Sequence, residues 1–549
     1  MGKDLIMQHP IRVLLLLLAL IYSTGLNGQF VNDDITYFVY NDLLTSLSLW
    51  SFTDVFTHPS NYWGELLPLR DYFYVVQFHL FGSDPLGYHL VSLGLYLLIV
   101  ALIVPLLESI AAVTSPVTDN RWQFIFVAAI FALNPLHVES VAYISGQKDL
   151  LCALFSLLCL LLFFRMIVDD KYQDAKLWCG FLACYYSAFL SKPLAVATAM
   201  LLTICGFMLL RYRQQFWTRL VPLWGLINIP AVLWFNFSLS VSAVSKGMAG
   251  VADISIVERV VRAVRILGQH FILVIWPDPL NFGYPFNSDI IFDGPFLAGS
   301  CSLLLLITGF IVCRDFLARF AILLILLYLL PVSQLFYDFF NASIYDRYLF
   351  VPLLGVGIIA GRIVSLLATR LPSRSVHLGA VMLLVALVLK TLVYIPVYSS
   401  DVSVARHAYE NYPDWNSSSF NYASSLIEAG RFDQAKELIA TETRLSQPGW
   451  VKGYLLGWIA LEEGDVSIAI SQLQQSFWQC VTGGYYPFPG VLLAKGLIKQ
   501  GHEQQALVVL EANLKSKINN PLELYRAKRL KAQILGYDRF ELGHGREQE

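Results

Sequence analysis

Charge is what this chain has least of. Only 14% of its 549 residues are Asp, Glu, Lys or Arg, where a soluble domain carries about a quarter. Hydrophobic residues make up 56%, and mean hydropathy is +0.58. That balance excludes an ordinary soluble enzyme and marks a polytopic membrane protein. The formal net charge of -2 offers no basic excess to hold a nucleic acid. Cysteine is scarce too. Of 8 cysteines, Cys152, Cys159, Cys179, Cys184, Cys205, Cys301 and Cys313 lie in or at the ends of apolar runs, and only Cys480 lies in the soluble part. No disulfide framework is implied, and no His or Cys spacing resembles a metal cluster.

What is present is a succession of apolar runs. The first, Ile11 to Leu26, has Lys3 before it and Arg12 at its start. It lacks a clear small-residue cleavage site and reads as an uncleaved helix rather than a signal peptide. Further spans are expected over Tyr88–Leu107, Trp122–Leu133, Leu150–Phe164, Leu177–Leu190, Leu194–Leu210, Leu220–Leu239, Phe296–Cys313, Phe320–Phe336, Leu349–Leu367 and Leu378–Val397. That makes about eleven, several a little short of the ~20 residues a span needs.

The basic residues orient them. Arg121, then Arg165/Lys171/Lys176, Arg211/Arg213/Arg219, Arg314/Arg319 and Arg362/Arg370/Arg374 fall in alternate loops. With Lys3 and Arg12 they place the N-terminus inside. An odd number of spans then places everything after Tyr398 outside, together with a long first loop from Asn27 to Gly87. "ISIVERVVRAVRILGQHFILVIWP" is apolar enough to tempt a twelfth span. Yet Glu258, Arg259, Arg262, Arg265 and Gln269 recur on one helical face. Each Arg at a bilayer centre costs ~2.5–3.5 kcal/mol. An interfacial or re-entrant amphipathic helix on the outer side is the expectation.

The tail changes character at "YSSDVSVARHAYENYPDWNSSS". Beyond it "SLIEAGRFDQAKELI" aligns with "IALEEGDVSIAISQL", so that Gly430 and Gly464, and Ala435 and Ala469, are 34 residues apart. "GLIKQGHEQQALVVL" adds Gly501 and Ala506. This is the tetratricopeptide period, a helix-turn-helix with small residues where helices cross. Three units and a last helix near Leu522–Ile534 suffice for a short solenoid. The fold expected is therefore all-α. Residues 1–400 form a membrane domain and residues 401–549 an outer-side repeat domain.

Several charges break the orientation rule and collect on the outer side near span ends. The cations are Arg70, Lys148, Lys192, Arg259, Arg262, Arg265 and Arg347, and the acids are Asp33, Asp34, Glu139, Asp149 and Asp346. Both signs together at a membrane surface suit a lipid phosphate and a reacting hydroxyl. Arg forks hold phosphate, and a carboxylate takes the proton of a nucleophile. Each has a plainer reading. Lys192 and Arg259 can snorkel to headgroups. Asp346 and Arg347 can pair locally, and Asp33-Asp34 can cap a short helix. His137 and His89 read as hydrogen-bonded interface residues rather than metal ligands.

These stretches together resemble a known family. "FVNDDITYFVYN" is similar to the first-loop acidic motif of GT-C fold glycosyltransferases. "LLPLRDYFYVVQFHLFGSDPLGYHLVSLGLYLL" and "NPLHVESVAYISGQKDLL" resemble the transmembrane O-mannosyltransferases that carry C-terminal tetratricopeptide repeats. "LSKPLAV", "WPDPLNFGYP" and "YDRYLFVPLLG" continue in the same order. The resemblance implies a GT-C bundle, a polyprenyl-phosphate sugar donor and inverting transfer to a hydroxyl, often of protein Ser or Thr. It implies that Asp33 and Asp34 are the catalytic carboxylates, with Asp34 favoured as the base. Arg70, Lys148 and Arg347 become candidates for the donor phosphate, with Arg262 and Arg265 behind them. His137, Glu139, Asp149, His89 and Lys192 become supporting residues. The sequence departs from the pattern in places. Arg70-Asp71 stands for Arg-Pro, Asn134-Pro135 for His-Pro, Gln147-Lys148-Asp149 for Arg-Lys-Asp, and Tyr96 for a second-span His. No cofactor is fixed by the pattern, and a divalent metal at Asp33/Asp34 stays open.

Other readings compete. An inactive membrane scaffold would use the repeats to recruit an envelope partner and would share the fold. A lipid or sugar transporter would show inverted repeats, of which the sequence has no sign. The expected setting is a bacterial inner membrane with the repeats in the periplasm.

Overall fold

The computed structural model describes residues 9–536 apart from 40, 50, 51, 58–64, 115–120, 172, 210–223, 226, 239, 241–254, 285–292, 337–343, 414, 447, 486 and 516–520. Lys3, the Arg211/Arg213/Arg219 cluster and the first part of the span expected at 220–239 lie outside the described residues. The fold is all-α. Among the described residues the one β feature is an isolated antiparallel bridge between Tyr284 and Ile344.

The apolar runs fold as helices because lipid cannot satisfy a free backbone, even where Pro105 takes one donor out of the ladder of Pro85–Ala112. They are α1 (Pro10–Ser23), α2 (Pro68–Phe81), α3 (Pro85–Ala112), α4 (Arg121–Ala132), α5 (Gln147–Val168), α6 (Ala175–Ser191) and α7 (Val196–Leu209). There follow α8 (Ile256–Ile275), α9 (Gly294–Val312), α10 (Phe316–Leu329), α11 (Pro352–Arg370) and α12 (Ser373–Tyr394). Residues 227–238 are helical as well. Every expected span falls wholly or partly on a helix, but lengths differ. Among the described residues five helices are long and apolar enough to cross a bilayer unaided, or up to 6 if one bent pair counts as a single span. Helices α1 and α10 and the stretch Pro193–Leu209 are shorter apolar helices. The span expected to reach Phe336 ends as helix at Leu329.

The bent pair positions much of the site. After α4 the chain turns by 54° into Pro135–Ala142. Pro135 has no N–H to continue the ladder, and Asn134 caps the new turn, its Oδ1 accepting from Leu136 N at 3.0 Å. All residues from 127 to 154 are buried. This buried elbow carries His137, Glu139, Ser145, Lys148 and Asp149.

Helix α8 holds the amphipathic segment and is not among the helices long and apolar enough to span. Ser255 caps it, accepting from Glu258 N at 3.2 Å. It lies backbone to backbone on α9. A methyl group on Gly268 would stand 1.8 Å from Pro295 O, and one on Gly299 would stand 1.9 Å from Val264 O.

Beyond α12 the helices shorten. They are α13 (Asp401–Asn411), α14 (Asn416–Glu428), α15 (Phe432–Thr441), α16 (Trp450–Glu463), α17 (Val466–Thr482), α18 (Pro489–Lys499), α19 (Glu503–Leu514) and α20 (Pro521–Leu535). Gly430, Gly464 and Gly501 sit in the turns α14/α15, α16/α17 and α18/α19 at φ +69, +93 and +81. Only glycine enters that region freely. Ala435, Ala469 and Ala506 are fully buried on the second helix of each pair. The main apolar cluster runs from Leu14 to Val404, and two separate clusters serve the tail.

Candidate active site

The acidic loop follows α1 and is fastened at several points. His89, near the start of α3, meets Gly28 O through Nε2 at 3.1 Å. Gln29 N donates to Ser399 O at 2.9 Å. Asn32 takes the left-handed φ of 50°, and its N–H donates to Asp401 Oδ1 at 2.9 Å. The two acids then part. Asp34 is fully buried. Its Oδ1 accepts from Ser145 N at 2.6 Å and Ser145 Oγ at 2.5 Å, and its Oδ2 accepts from Val31 N at 3.2 Å. These donors lie behind it in the chain and on the elbow, so Asp34 ties the loop to the bundle and does not cap the helix ahead of it. Burial drives its pKa up to about 7; the bonds from Ser145 and Val31 oppose that rise, and the charge of Asp33 adds to it. Asp33 is only half-buried.

The loop continues as a wide helical turn, Ile35–Val39, which delivers Tyr37 to the first cations. Arg70 is fully buried at the start of α2. Its Nε donates to Asp71 Oδ1 at 2.7 Å. Its Nη1 donates to Glu65 Oε2 at 2.7 Å and to Tyr37 Oη at 3.3 Å. Tyr37 Oη itself donates to Glu65 Oε2 at 2.9 Å. Lys148 Nζ reaches the same Glu65 oxygen at 3.6 Å. Across the site Arg347 donates from Nη1 and from its backbone N to the two oxygens of Glu139, at 3.0 and 2.9 Å. The ring of Tyr345 lies 4.0 Å from its guanidinium carbon. Lys192 pairs with Asp149 and lies 5.3 Å from the Tyr348 ring. Lys148 feels the charges of Arg70, Arg347 and Lys192 together.

Acids and cations share neighbours. Tyr37 lies within electrostatic reach of Asp33, Glu65 and Arg70. Tyr74 feels Arg70 and Asp34, and Tyr143 feels Asp33, Asp34 and Arg347. The structure thus brings Asp34, Arg70, Lys148, Arg347, Glu139 and Asp149 into one buried neighbourhood, with Asp33 and Lys192 half-buried beside them.

Other expectations are redirected. The pairs described for Arg262 and Arg265 are Glu258 at 2.9 Å and Asp293 at 2.5 Å. Arg265 thereby braces the acid that caps α9, since Asp293 Oδ1 accepts from Phe296 N at 2.9 Å. Among the described residues Asp346 and Arg347 form no hydrogen-bonded pair with each other. Asp346 accepts from Tyr284 Oη at 2.7 Å while Arg347 turns to Glu139. His89 is hydrogen-bonded as expected, but His137 is not. Both its ring nitrogens lack a hydrogen-bond partner among the described residues, and it packs at 4.3 Å from the ring of Phe131 and 4.4 Å from that of Phe350. It fills the elbow as an aromatic disc. Tyr96 Oη donates to Ala132 O at 2.9 Å, joining α3 to the end of α4. Among the described residues no three His, Cys, Asp or Glu side chains gather as they would round a metal. Sequence reasoning missed Glu65, Tyr37, Ser145 and Asp401. Only Glu65 had a visible signal, as an acid in "WGELLPLRD" five residues before an Arg already singled out.

No family model matches the chain. Curated relatives do. Protein O-mannosyl-transferase TMTC1 of Homo sapiens is 29% identical over 160 residues, 27% of this chain and 17% of that protein. Protein O-mannosyl-transferase TMTC2 of Mus musculus is 24% identical over 297 residues, 49% of this chain and 34% of that one. Protein O-mannosyl-transferase TMTC4 of Homo sapiens is 30% identical over 172 residues, 28% and 22% of the two. The matches thus cover no more than about a third of these relatives' length. Among solved structures, ArnT from Cupriavidus metallidurans bound to undecaprenyl phosphate aligns over 96% of this chain and 77% of that one, at 14% identity and a TM-score of 0.35. The chain is an all-α polytopic membrane protein that resembles the protein O-mannosyl-transferases over part of its length.

Proposed function

We propose that this chain is a GT-C type membrane glycosyltransferase. It moves a sugar from a polyprenyl-phosphate donor to a hydroxyl acceptor, a protein Ser or Thr, on the outer side of the membrane. The observation that carries the reading is the convergence of two unlike carboxylates, Asp33 and Asp34, with Arg70 and Arg347 around the buried Tyr37 and Tyr143, and of Lys148 with Arg70 on Glu65. The names of the relatives add mannose as the sugar and protein as the acceptor. Residues 1–400 are the transferase, and residues 401–549 a tetratricopeptide solenoid that presents the acceptor on the periplasmic side of a bacterial inner membrane.

Their surroundings support a division of work between the acids. A general base must first be reachable by the proton it takes. Both oxygens of Asp34 already accept bonds, and the residue is fully buried. Asp33 is half-exposed beside it. Exposure therefore favours Asp33 as the base, the reverse of the sequence preference, with Asp34 fixing the loop. In the reaction the acceptor O–H gives its proton to Asp33 and its oxygen attacks the anomeric carbon. The bond from that carbon to the phosphate oxygen breaks, and the lipid phosphate leaves as an anion. Lys148 and Arg70, with Arg347 opposite, stabilise that departing charge.

The test is single-turnover transfer with Asp33→Asn and Asp34→Asn, with donor affinity measured separately. Asp33→Asn should bind donor normally and transfer roughly 10²–10⁴-fold more slowly. Asp34→Asn should lose stability and donor affinity as well. Wild-type transfer rates in both variants would take the catalytic role away from both acids, and no transfer by the wild-type chain itself would put the scaffold reading first.

A further inference from the structure

We infer that Glu65 is a built-in competitor for the donor's phosphate, which exchanges with it at one set of donors and so speeds product release. The inference rests on the transferase reading above. Three donors converge on a single oxygen, Glu65 Oε2: Arg70 Nη1 at 2.7 Å, Tyr37 Oη at 2.9 Å and Lys148 Nζ at 3.6 Å. A guanidinium, a phenol and an ammonium round one anionic oxygen form a phosphate cradle with a carboxylate in it. The layering runs outward. The side chain of Arg70 is 0% exposed, that of Lys148 11% and that of Glu65 25%. The carboxylate is thus the most solvent-accessible member of the cluster, and Arg70 the deepest.

The charge balance agrees. Arg347 has Glu139, Lys192 has Asp149 and Arg70 has Asp71, each within ordinary ion-pair distance. The described partner of Lys148 is Glu65, at the longest of these separations, 3.6 Å. Lys148, pressed by Arg70, Arg347 and Lys192, is thus the cation with most to gain from another anion. A sugar-linked lipid phosphate is a diester with one negative charge and replaces Glu65 charge for charge. The product is a monoester of about −1.5 to −2 at neutral pH, which the same cations hold more tightly than the donor. Return of the Glu65 carboxylate then helps expel it.

Binding of a short polyprenyl phosphate to the full chain in nanodiscs tests this, with wild type, Glu65→Gln and Lys148→Gln compared. Glu65→Ala replaces the Gln variant should that one not fold. Glu65→Gln is expected to bind the lipid phosphate at least about fivefold tighter, since a like charge within ~4 Å is removed. Lys148→Gln is expected to bind it more weakly. Steady-state turnover by Glu65→Gln should fall as the lipid phosphate is released more slowly. A purely structural salt bridge predicts the opposite, because loss of Glu65 would loosen Arg70. Weaker or unchanged binding in Glu65→Gln, with Lys148→Gln impaired, overturns the inference and leaves the transferase reading standing. Wild-type binding in Lys148→Gln would instead remove the phosphate site itself. With inorganic phosphate as probe, a gain equal to that for the lipid supports exchange at the phosphate. A gain for inorganic phosphate alone overturns it.

Discussion

Asp34 shows how burial and hydrogen bonding act against each other on one carboxylate. Its three donors favour the ionised form, yet removal from water prevails and its pKa stands near 7. The stability consequence follows from linkage. The folded chain keeps a proton on Asp34 between about pH 4 and 7 that the unfolded chain has released, so this group's contribution to stability falls as pH rises through that window. Each pKa unit is worth about 1.4 kcal/mol. Thermal unfolding of wild type and Asp34→Asn at pH 5 and pH 7.5 checks it. Wild type should lose more stability than the variant on going to pH 7.5. Equal losses would mean that Asp34 is ionised throughout, with its bonds outweighing its burial.

Helices α8 and α9 carry the same reasoning to a packed pair. Gly268 and Gly299 let the two backbones touch, and α8 brings His270 to within 6.5 Å of the Tyr348 ring, one residue from Arg347. A side chain at the crossing must push the helices apart, and overpacking typically costs about 1–3 kcal/mol. Gly299→Ala should lower thermal stability by that order and weaken donor binding, because the support beneath Tyr348 moves. Unaltered melting would show that the helices can separate freely. The crossing was not legible in the sequence, although its helices were. Apolar runs announced the spans, because length and hydropathy are local properties. The 34-residue return of Gly430 with Gly464 and of Ala435 with Ala469 announced the paired helices of the tail, because a left-handed turn and a tight crossing demand those residues. The acids and cations of the site were legible as charges out of place in apolar surroundings. Their partners were not. Ser145 meets Asp34 across 111 positions, Arg347 meets Glu139 across 208, and no period or motif encodes such distances. His137 was misjudged for the same reason, since only the surrounding rings of Phe131 and Phe350 reveal that it is held by packing.

The tail and the membrane domain meet at the acidic loop. Asp401, the first residue of α13, accepts from Asn32 N at 2.9 Å, and Asn32 precedes Asp33. His407 and Tyr412 of the same region reach Leu280 O at 2.7 Å and Pro279 O at 3.2 Å. The start of the repeat region therefore helps to set the conformation of Asn32, whose φ of 50° few non-glycine residues hold without support. On the proposed transferase reading Asp401 is a positioning residue for Asp33, and a loop that drifts by about 1 Å can cost up to roughly 10²-fold in rate. Asp401→Ala should lower kcat while leaving donor KM unchanged, since Glu65, Arg70 and Lys148 are untouched. Deleting residues 416–549 keeps this bond, so it should preserve transfer to a short soluble acceptor and impair only acceptors that need the repeats. Deleting residues 401–549 removes the bond and should impair both. Wild-type kcat in Asp401→Ala, together with full activity after the longer deletion, would show that the repeats do not act on the acidic loop. A fall in kcat confined to Asp401→Ala and the longer deletion would show that the first helix of the tail tunes the proposed base, Asp33, apart from any part the repeats play in recruiting an acceptor.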